Sequence, residues 1–143
     1  REQQHAQKVV ELTQIRKELE EQLRKQLQEI ADQKAQADIF IQNSPSTIVY
    51  FDPSGNIHFA NQTAKKMFGY EPQELIGKSI DTLLENEQLK GGYSTNIQQL
   101  VMKGSDPQAK GKSKFYGASF PVNVTFSRGQ VGGQALFTAM IQD

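Results

Sequence analysis

The stretch Ile48–Gly77, IVYFDPSGNIHFANQTAKKMFGYEPQELIG, leaves the chain little conformational choice. Thr47–Phe51 is β-branched and aromatic and is bounded by turn formers, the composition of a short strand. Asp52-Pro53-Ser54-Gly55 puts Asp first, Pro second and Gly fourth, the pattern of a type I turn. Asn56–Ala60 then returns as the second strand of a hairpin, with His58 predicted on the face opposite Ile57 and Phe59. Asn61 is predicted to cap a helix whose Ala64, Met67 and Phe68 share one face. Gly69 suits the left-handed residue that ends this helix, and Pro72 suits the first turn of the next. That helix presents Leu75 and Ile76 and stops at Gly77.

No Gly or Pro occurs before Pro45, so the lead-in can be one long helix. Its apolar residues fall at Val9, Leu12, Ile15, Leu19, Leu23, Leu27 and Ile30, six steps over 21 residues averaging 3.5. That is the period of a left-handed coiled-coil seam, although the run of four-residue steps from Ile15 to Leu27 should locally unwind or rotate it. Arg16–Glu20, Lys17–Glu21, Glu20–Arg24 and Glu21–Lys25 are opposite charges at i,i+4, each worth about 0.3 kcal/mol. Nothing in the chain is large enough to cover such a stripe, so a second copy is expected to do so. Leu12, Ile15, Leu19, Leu23, Leu27 and Ile30 are therefore the expected interface of a parallel homodimer. His5 lies at or near this seam, as a solvated or interfacial side chain. The stripe shrinks to Ala31, Ala35 and Ala37 before Phe40 and Ile41 restore an apolar face, and the helix is expected to splay or turn there. Residues 1–37 are read as coil and 38–143 as the folded domain, with Ser44-Pro45-Ser46 closing the helix.

Beyond the central stretch, Ser79–Leu84 reads as a helical turn burying Leu83 and Leu84. Tyr93–Met102 reads as one helix with Ile97, Leu100 and Val101 on its apolar face, ended by Gly104. Ser105–Ser113 reads as an exposed loop and a solvated strand. The nearby Lys103, Lys110, Lys112 and Lys114 lack the interleaved aromatics of a nucleic-acid footprint. Phe120, Val122, Val124 and Phe126 alternate with polar residues and Pro121, predicting one strand buried on one face. After a glycine-rich loop at Arg128–Gly133, the nearly all-apolar Leu136–Ile141 predicts a strand covered on both faces. Its Phe137, Ala139 and Ile141 should join Val122 and Val124.

Sixteen basic residues balance sixteen acidic ones, which leaves no net field to draw nucleic acid or an anionic membrane. The absence of cysteine removes disulfides, thiolate metal sites and cysteine nucleophiles, and fits a reducing compartment. No apolar run approaches the roughly 20 residues that span a bilayer. A cytoplasmic segment without membrane contact is expected, cut from a longer protein, since the chain begins at Arg1 without Met. There is no Gly-x-Ser-x-Gly, phosphate-binding loop, HExxH or GxGxxG, so no enzyme is expected in this segment. His5 and His58 lie in different elements and offer no metal spacing, while Asp52 and Glu71 read as turn and capping residues.

Four segments in order, YFDPSGNIHFAN, MFGYEPQELIGK, GASFPVNVTFS and LFTAMIQD, resemble the PAS domain family, over about 100 residues from Asp38 to Asp143. The resemblance implies an α+β fold: a five-stranded antiparallel sheet with short helices on one face and a small pocket between them. Met67, Ile80, Leu84, Leu100, Val122, Val124 and Ile141 would line that pocket. The same apolar set is what a plain hydrophobic core requires, and the plain core is the preferred reading. In the family's flavin photoreceptor branch an adduct-forming cysteine follows a segment matched here by Gly77-Lys78-Ser79. Ile80 stands in its place, which excludes covalent flavin photochemistry. Polar flavin-holding positions of that branch fall on Val122 and Ile141. The oxygen-sensing branch carries a haem-ligating histidine on the long helix, and Tyr93–Met102 contains none. The absence of Trp argues against noncovalent flavin. No cofactor is expected, and an unidentified small ligand is the remaining option. LFTAMIQD ends on Asp143, matching the first residue of the family's Asp-Ile-Thr output motif, so output is expected there with an effector domain in the same full-length chain. The function implied is a sensory or relay module serving an effector such as a histidine kinase, cyclic-dinucleotide enzyme, chemoreceptor or transcription regulator. The alternative is a ligand-free, constitutive dimerisation scaffold.

Overall fold

The computed structural model describes residues 2–115 and 118–143. Arg1 lies outside them, as does Gly117, which opens the GASFPVNVTFS segment. The chain divides into two compact units, Arg1–Phe40 and Ile41–Asp143.

The first unit belongs to α1, Glu2–Gln42, a single helix that runs without a break through the alanine-rich stretch. It buries no residue, and all seven members of the apolar stripe are more than half exposed. Of the expected charge pairs, Arg16 and Glu20 meet at 3.0 Å. Arg24 turns to Glu21 instead of Glu20, because its Nε and Nη2 reach both Glu21 oxygens at 3.1 and 2.6 Å. Fully exposed as it is, this fork adds little to stability.

The second unit is built on an antiparallel sheet ordered β2-β1-β8-β7-β4. Its strands are β1 Thr47–Phe51, β2 Ile57–Ala60, β4 Ser105–Asp106, β7 Asn123–Val131 and β8 Gln134–Gln142. Thr47, Ile141 and Val124 lie in one row of the register, Val49, Ala139 and Phe126 in the next. These side chains, with Phe51, Ile57 and Phe137, make the buried face. Phe51 stacks on Phe137 at 5.8 Å and meets Phe126 edge-on at 6.4 Å. Over them lie α2 Thr63–Phe68, α3 Pro72–Leu75, a 3-10 turn Ile80–Thr82, α4 Gly92–Thr95 and α5 Ile97–Lys103. They contribute Phe68, Leu75, Ile80, Tyr93, Ile97 and Leu100 to one continuous core. The expected five-stranded sheet with short helices on one face is therefore present.

Several local expectations are corrected. The β1–β2 pairing passes from Tyr50 opposite Phe59 to Phe51 opposite Ile57, so His58 is the extra residue of a bulge. The bulge puts Ile57 inside and Phe59 outside, where Phe59 packs on Tyr50 at 5.1 Å, so these two do not share the face that strict alternation assigns them. The single helix over Tyr93–Met102 is two, because Asn96 leaves helical geometry at φ −109°, ψ 18° and its Nδ2 donates to the Lys90 and Gly92 carbonyls. The strand expected from Phe120 to Phe126 is interrupted at Val122. Ser119–Pro121 forms β6 of a second sheet ordered β3-β5-β6, with β3 Leu84–Glu85 and β5 Lys110–Lys112. Ser105–Ser113 is only in part the exposed loop and solvated strand expected: Ser105, Pro107, Gln108 and Lys110 are exposed, but Asp106, Ala109 and Gly111 are buried. The outer face of β8 holds half-buried Leu136 and Thr138 beside exposed Met140. No helix among the described residues is long and apolar enough to cross a membrane.

Candidate signalling junction

Asn61 was the candidate cap of α2, yet the N-cap position is Gln62 and no side chain caps it. Asn61 follows β2 directly and is fully buried, a place where an amide must satisfy all its polar atoms. Its backbone N–H donates to the Ile48 carbonyl at 3.0 Å and its Oδ1 accepts from the Ile48 N–H at 3.0 Å, extending the β1–β2 ladder by one rung. Its Nδ2 donates to the Ser46 carbonyl at 3.0 Å and to the Ile41 carbonyl, in the last turn of α1, at 2.8 Å. That carbonyl is one of the terminal acceptors a helix cannot satisfy from within. Neighbouring side chains repeat the theme. Gln42 Oε1 accepts from the Gln62 N–H at 2.8 Å, the Thr63 hydroxyl donates to the Ser44 carbonyl at 2.5 Å, and the Thr47 hydroxyl meets Met67 Sδ at 3.4 Å. The end of α1, the first two strands and α2 are thus joined by one polar clasp.

Beside the clasp is a half-open hollow of about 410 Å³ lined by Gln42, Pro45, Gln62, Lys66, Met67 and Asp143, among others. Met67 and Asp143, assigned to a pocket and to signal output respectively, therefore line the same hollow at the end of α1. The other pocket candidates, Ile80, Leu84, Leu100, Val122, Val124 and Ile141, are all buried members of the packed core. Leu100 also reaches a second hollow, of about 340 Å³, with Asn86, Lys103 and Asp106.

That second hollow borders a polar network which the sequence did not disclose. Tyr93, almost wholly buried and stacked on Phe126 at 5.9 Å, donates its hydroxyl to Asp106 Oδ2 at 2.7 Å. Asn86 Nδ2 donates to both Asp106 oxygens, at 3.3 and 3.0 Å, and the Gln108 N–H donates to Oδ1 at 3.1 Å. Burial, reinforced by the Asp106 carboxylate, pushes the Tyr93 phenol well above its ordinary range. In the sequence Asp106 belongs to a stretch that reads as an exposed loop and a solvated strand, and only the fold brings it to the Tyr93 hydroxyl of α4. Tyr93→Phe is expected to cost about 2 kcal/mol in chemical denaturation, the worth of a buried hydrogen bond to a charged group. An unchanged denaturation midpoint would remove Asp106 from the network's energetics.

At the hairpin, Asp52 Oδ1 accepts from the Ser54 and Asn56 N–H groups at 2.9 and 3.0 Å, and Oδ2 meets His58 Nε2 at 3.0 Å. Partial burial raises the carboxyl's pKa. The His58 hydrogen bond and the two amides outweigh that and hold it below its ordinary value. A depressed carboxyl contributes stability above its unfolded pKa and loses it as pH falls through the folded value. Asp52→Asn should therefore lose less stability than the parent between about pH 5 and pH 2. Parallel acid-unfolding curves for the two proteins would contradict this. Among the described residues no group of three or more His, Cys, Asp or Glu is placed to hold a metal ion.

A model of the family described as the PAS fold matches residues 36–128. Hybrid signal transduction histidine kinase L of Dictyostelium discoideum is 37% identical over 49 residues, 34% of this chain and 3% of that protein. Sensor protein FixL of Bradyrhizobium diazoefficiens is 25% identical over 105 residues, 69% of this chain and 20% of that protein. The chain thus spans a fifth or less of the length of these curated relatives. Among solved structures, the PAS domain of an HTR-like protein from Haloarcula marismortui matches with a TM-score of 0.66 at 20% identity, covering 84% of this chain and 98% of that one. The PAS domain of nitrogen regulation protein NR(II) from Vibrio parahaemolyticus gives 0.61 at 16% identity, covering 75% and 96%. These likenesses show the fold, and the family model spans well over half of the sequence. This chain belongs to the PAS family.

Proposed function

We propose that this chain is a cytoplasmic sensory relay of a larger signalling protein, paired through α1 with a second copy and delivering a conformational change to an effector in the same polypeptide. One observation carries the reading: a 41-residue helix that buries none of its own residues has the Ile41 carbonyl of its last turn hydrogen-bonded by the buried Asn61 amide. A helix so exposed along an apolar stripe needs a partner, and one so anchored at its end can pass on a change in that partnership. The names of the relatives, a histidine kinase and a sensor protein, support an effector of that class. Light scattering at micromolar concentration should give a dimer, and Leu19→Asp with Leu23→Asp should give a folded monomer. A monomeric parent protein would end the pairing proposal.

The constitutive scaffold draws support from the tight packing of the six buried pocket candidates. Native mass spectrometry of the purified protein separates the readings. A co-purifying small molecule would remove the scaffold, and a ligand-free dimer unmoved by any metabolite in a thermal-shift screen would favour it.

A further inference from the structure

The six buried pocket candidates pack into the core, so a ligand for the sensory reading needs another place. The hollow of about 340 Å³ beside Asp106 has the size for it, at the small end of the roughly 300–1,000 Å³ that ligand sites occupy. Asp106 is only 7% exposed, and its carboxylate accepts from the Tyr93 hydroxyl, the Asn86 amide and the Gln108 N–H, all neutral donors. No ion pair among the described residues includes it. A carboxylate is seldom buried so deeply without an opposite charge. Lys103, exposed in the last turn of α5, lines the same hollow and likewise makes no ion pair among the described residues.

One hollow thus carries a negative group and a positive group that do not pair with each other. A bare cation drawn to Asp106 would be repelled by Lys103, and a bare anion drawn to Lys103 would be repelled by Asp106. A metal ion fits poorly, because Asp106 is the one acidic side chain lining the hollow among the described residues, and hard cations gather six or more oxygens. A molecule bearing both charges satisfies both groups. Leu89, Leu100 and Pro107 add an apolar wall.

We infer that this hollow binds a small zwitterion, an α-amino acid with an aliphatic side chain. Its ammonium meets Asp106, its carboxylate meets Lys103 and its side chain lies on Leu89 and Leu100. The inference rests on the sensory reading above and gives it a ligand class and a place. The ammonium has an opening at Asp106 Oδ1, where the Asn86 contact is long at 3.3 Å. Oδ2 holds Tyr93, which stacks on Phe126 of β7, so occupancy of the hollow bears directly on the central sheet.

The test titrates alanine, valine, isoleucine and leucine separately into the full chain, followed by amide NMR. The best binder is then compared with its two analogues that each lack one charge, for leucine 3-methylbutylamine and 4-methylpentanoate. The amino acid should shift the amides of Asn86, Lys103 and Gln108. It should bind at least about tenfold more tightly than the analogue without the ammonium, the effect of a hydrogen bond to a buried charge. Against the analogue without the carboxylate the advantage should be about threefold, since Lys103 is exposed. Asp106→Asn should erase the first preference. Lys103→Glu lies on the surface, so it should fold like the parent, and it should reverse the second preference. If all four amino acids leave these amides unmoved, or if Lys103→Glu leaves the order of the two ligands unchanged, the zwitterion site is overturned. A dimer that binds none of the four loses the site and keeps the relay, whereas a monomer that binds one keeps the site and loses the relay.

Discussion

Asn61→Ala is expected to lower the stability of the PAS unit by about 3 kcal/mol, since it strips partners from two buried backbone groups and a half-buried one at once. The Ile48 N–H, the Ser46 carbonyl and the Ile41 carbonyl each lose the hydrogen bond described above. For a domain of this size the melting temperature should fall by roughly 12–24 °C. The loss should be local as well as global, with amide exchange accelerating most at Ile48 and along the last turn of α1. Asn61→Asp sharpens the test. It keeps an acceptor for the Ile48 N–H but replaces the doubly donating amide with a carboxylate facing two carbonyl oxygens. That variant should be at least as unstable near neutrality and should recover in part as pH falls, when its protonated carboxyl regains one donor. Melting within a few degrees of the parent for both variants would show that the clasp does not hold the junction.

Gly55→Ala should do comparable damage for a different reason. Gly55 ends the Asp52–Gly55 turn at φ +88°, donating its N–H to the Asp52 carbonyl at 2.8 Å, in the left-handed region that costs other residues roughly 1–2 kcal/mol. A methyl group there would stand 2.5 Å from Ser94 Cβ and 3.2 Å from Ser94 Cα, so α4 would have to move. Overpacking of this kind adds about 1–3 kcal/mol, for a total of about 2–5 kcal/mol by thermal or chemical unfolding. Gly129→Ala is the internal control: it sits in β7 without positive φ, and its nearest neighbour would be 3.9 Å away, so it should be neutral or slightly stabilising. Equal melting temperatures for the two variants would mean that the hairpin does not bear on α4.

The same two residues show where sequence reasoning reached and where it stopped. Asp-Pro-Ser-Gly encodes its turn in residue chemistry, so the hairpin could be read directly, and Gly55 was placed correctly as its closing residue. That this turn also packs against α4, some 40 residues later, depends on long-range folding that no local pattern carries. Asn61 was misassigned because an asparagine before a helix is far more often a cap than a buried bracket. Its real partners, Ile41, Ser46 and Ile48, lie 13 to 20 residues upstream and come together only when the hairpin and the helix end meet. Phe59 departs from the face expected of it for a similar reason, because the bulge at His58 inserts one residue and inverts the face assignment on one side of it, while His58 itself is exposed as expected.

By itself the sequence determined the family, the order of strands and helices around the central hairpin and the 3.5-residue stripe of α1. Each rests on residue identity or on period, which survive without coordinates. The tertiary structure alone decided the polar connections: the clasp at Asn61, the Tyr93–Asp106–Asn86 network beneath α4, and the meeting of Met67 and Asp143 at the end of the lead helix. Apolar burial follows patterns that can be counted along a chain. A buried hydrogen bond requires two groups within about 3 Å, and which groups come that close is settled only when the whole domain packs.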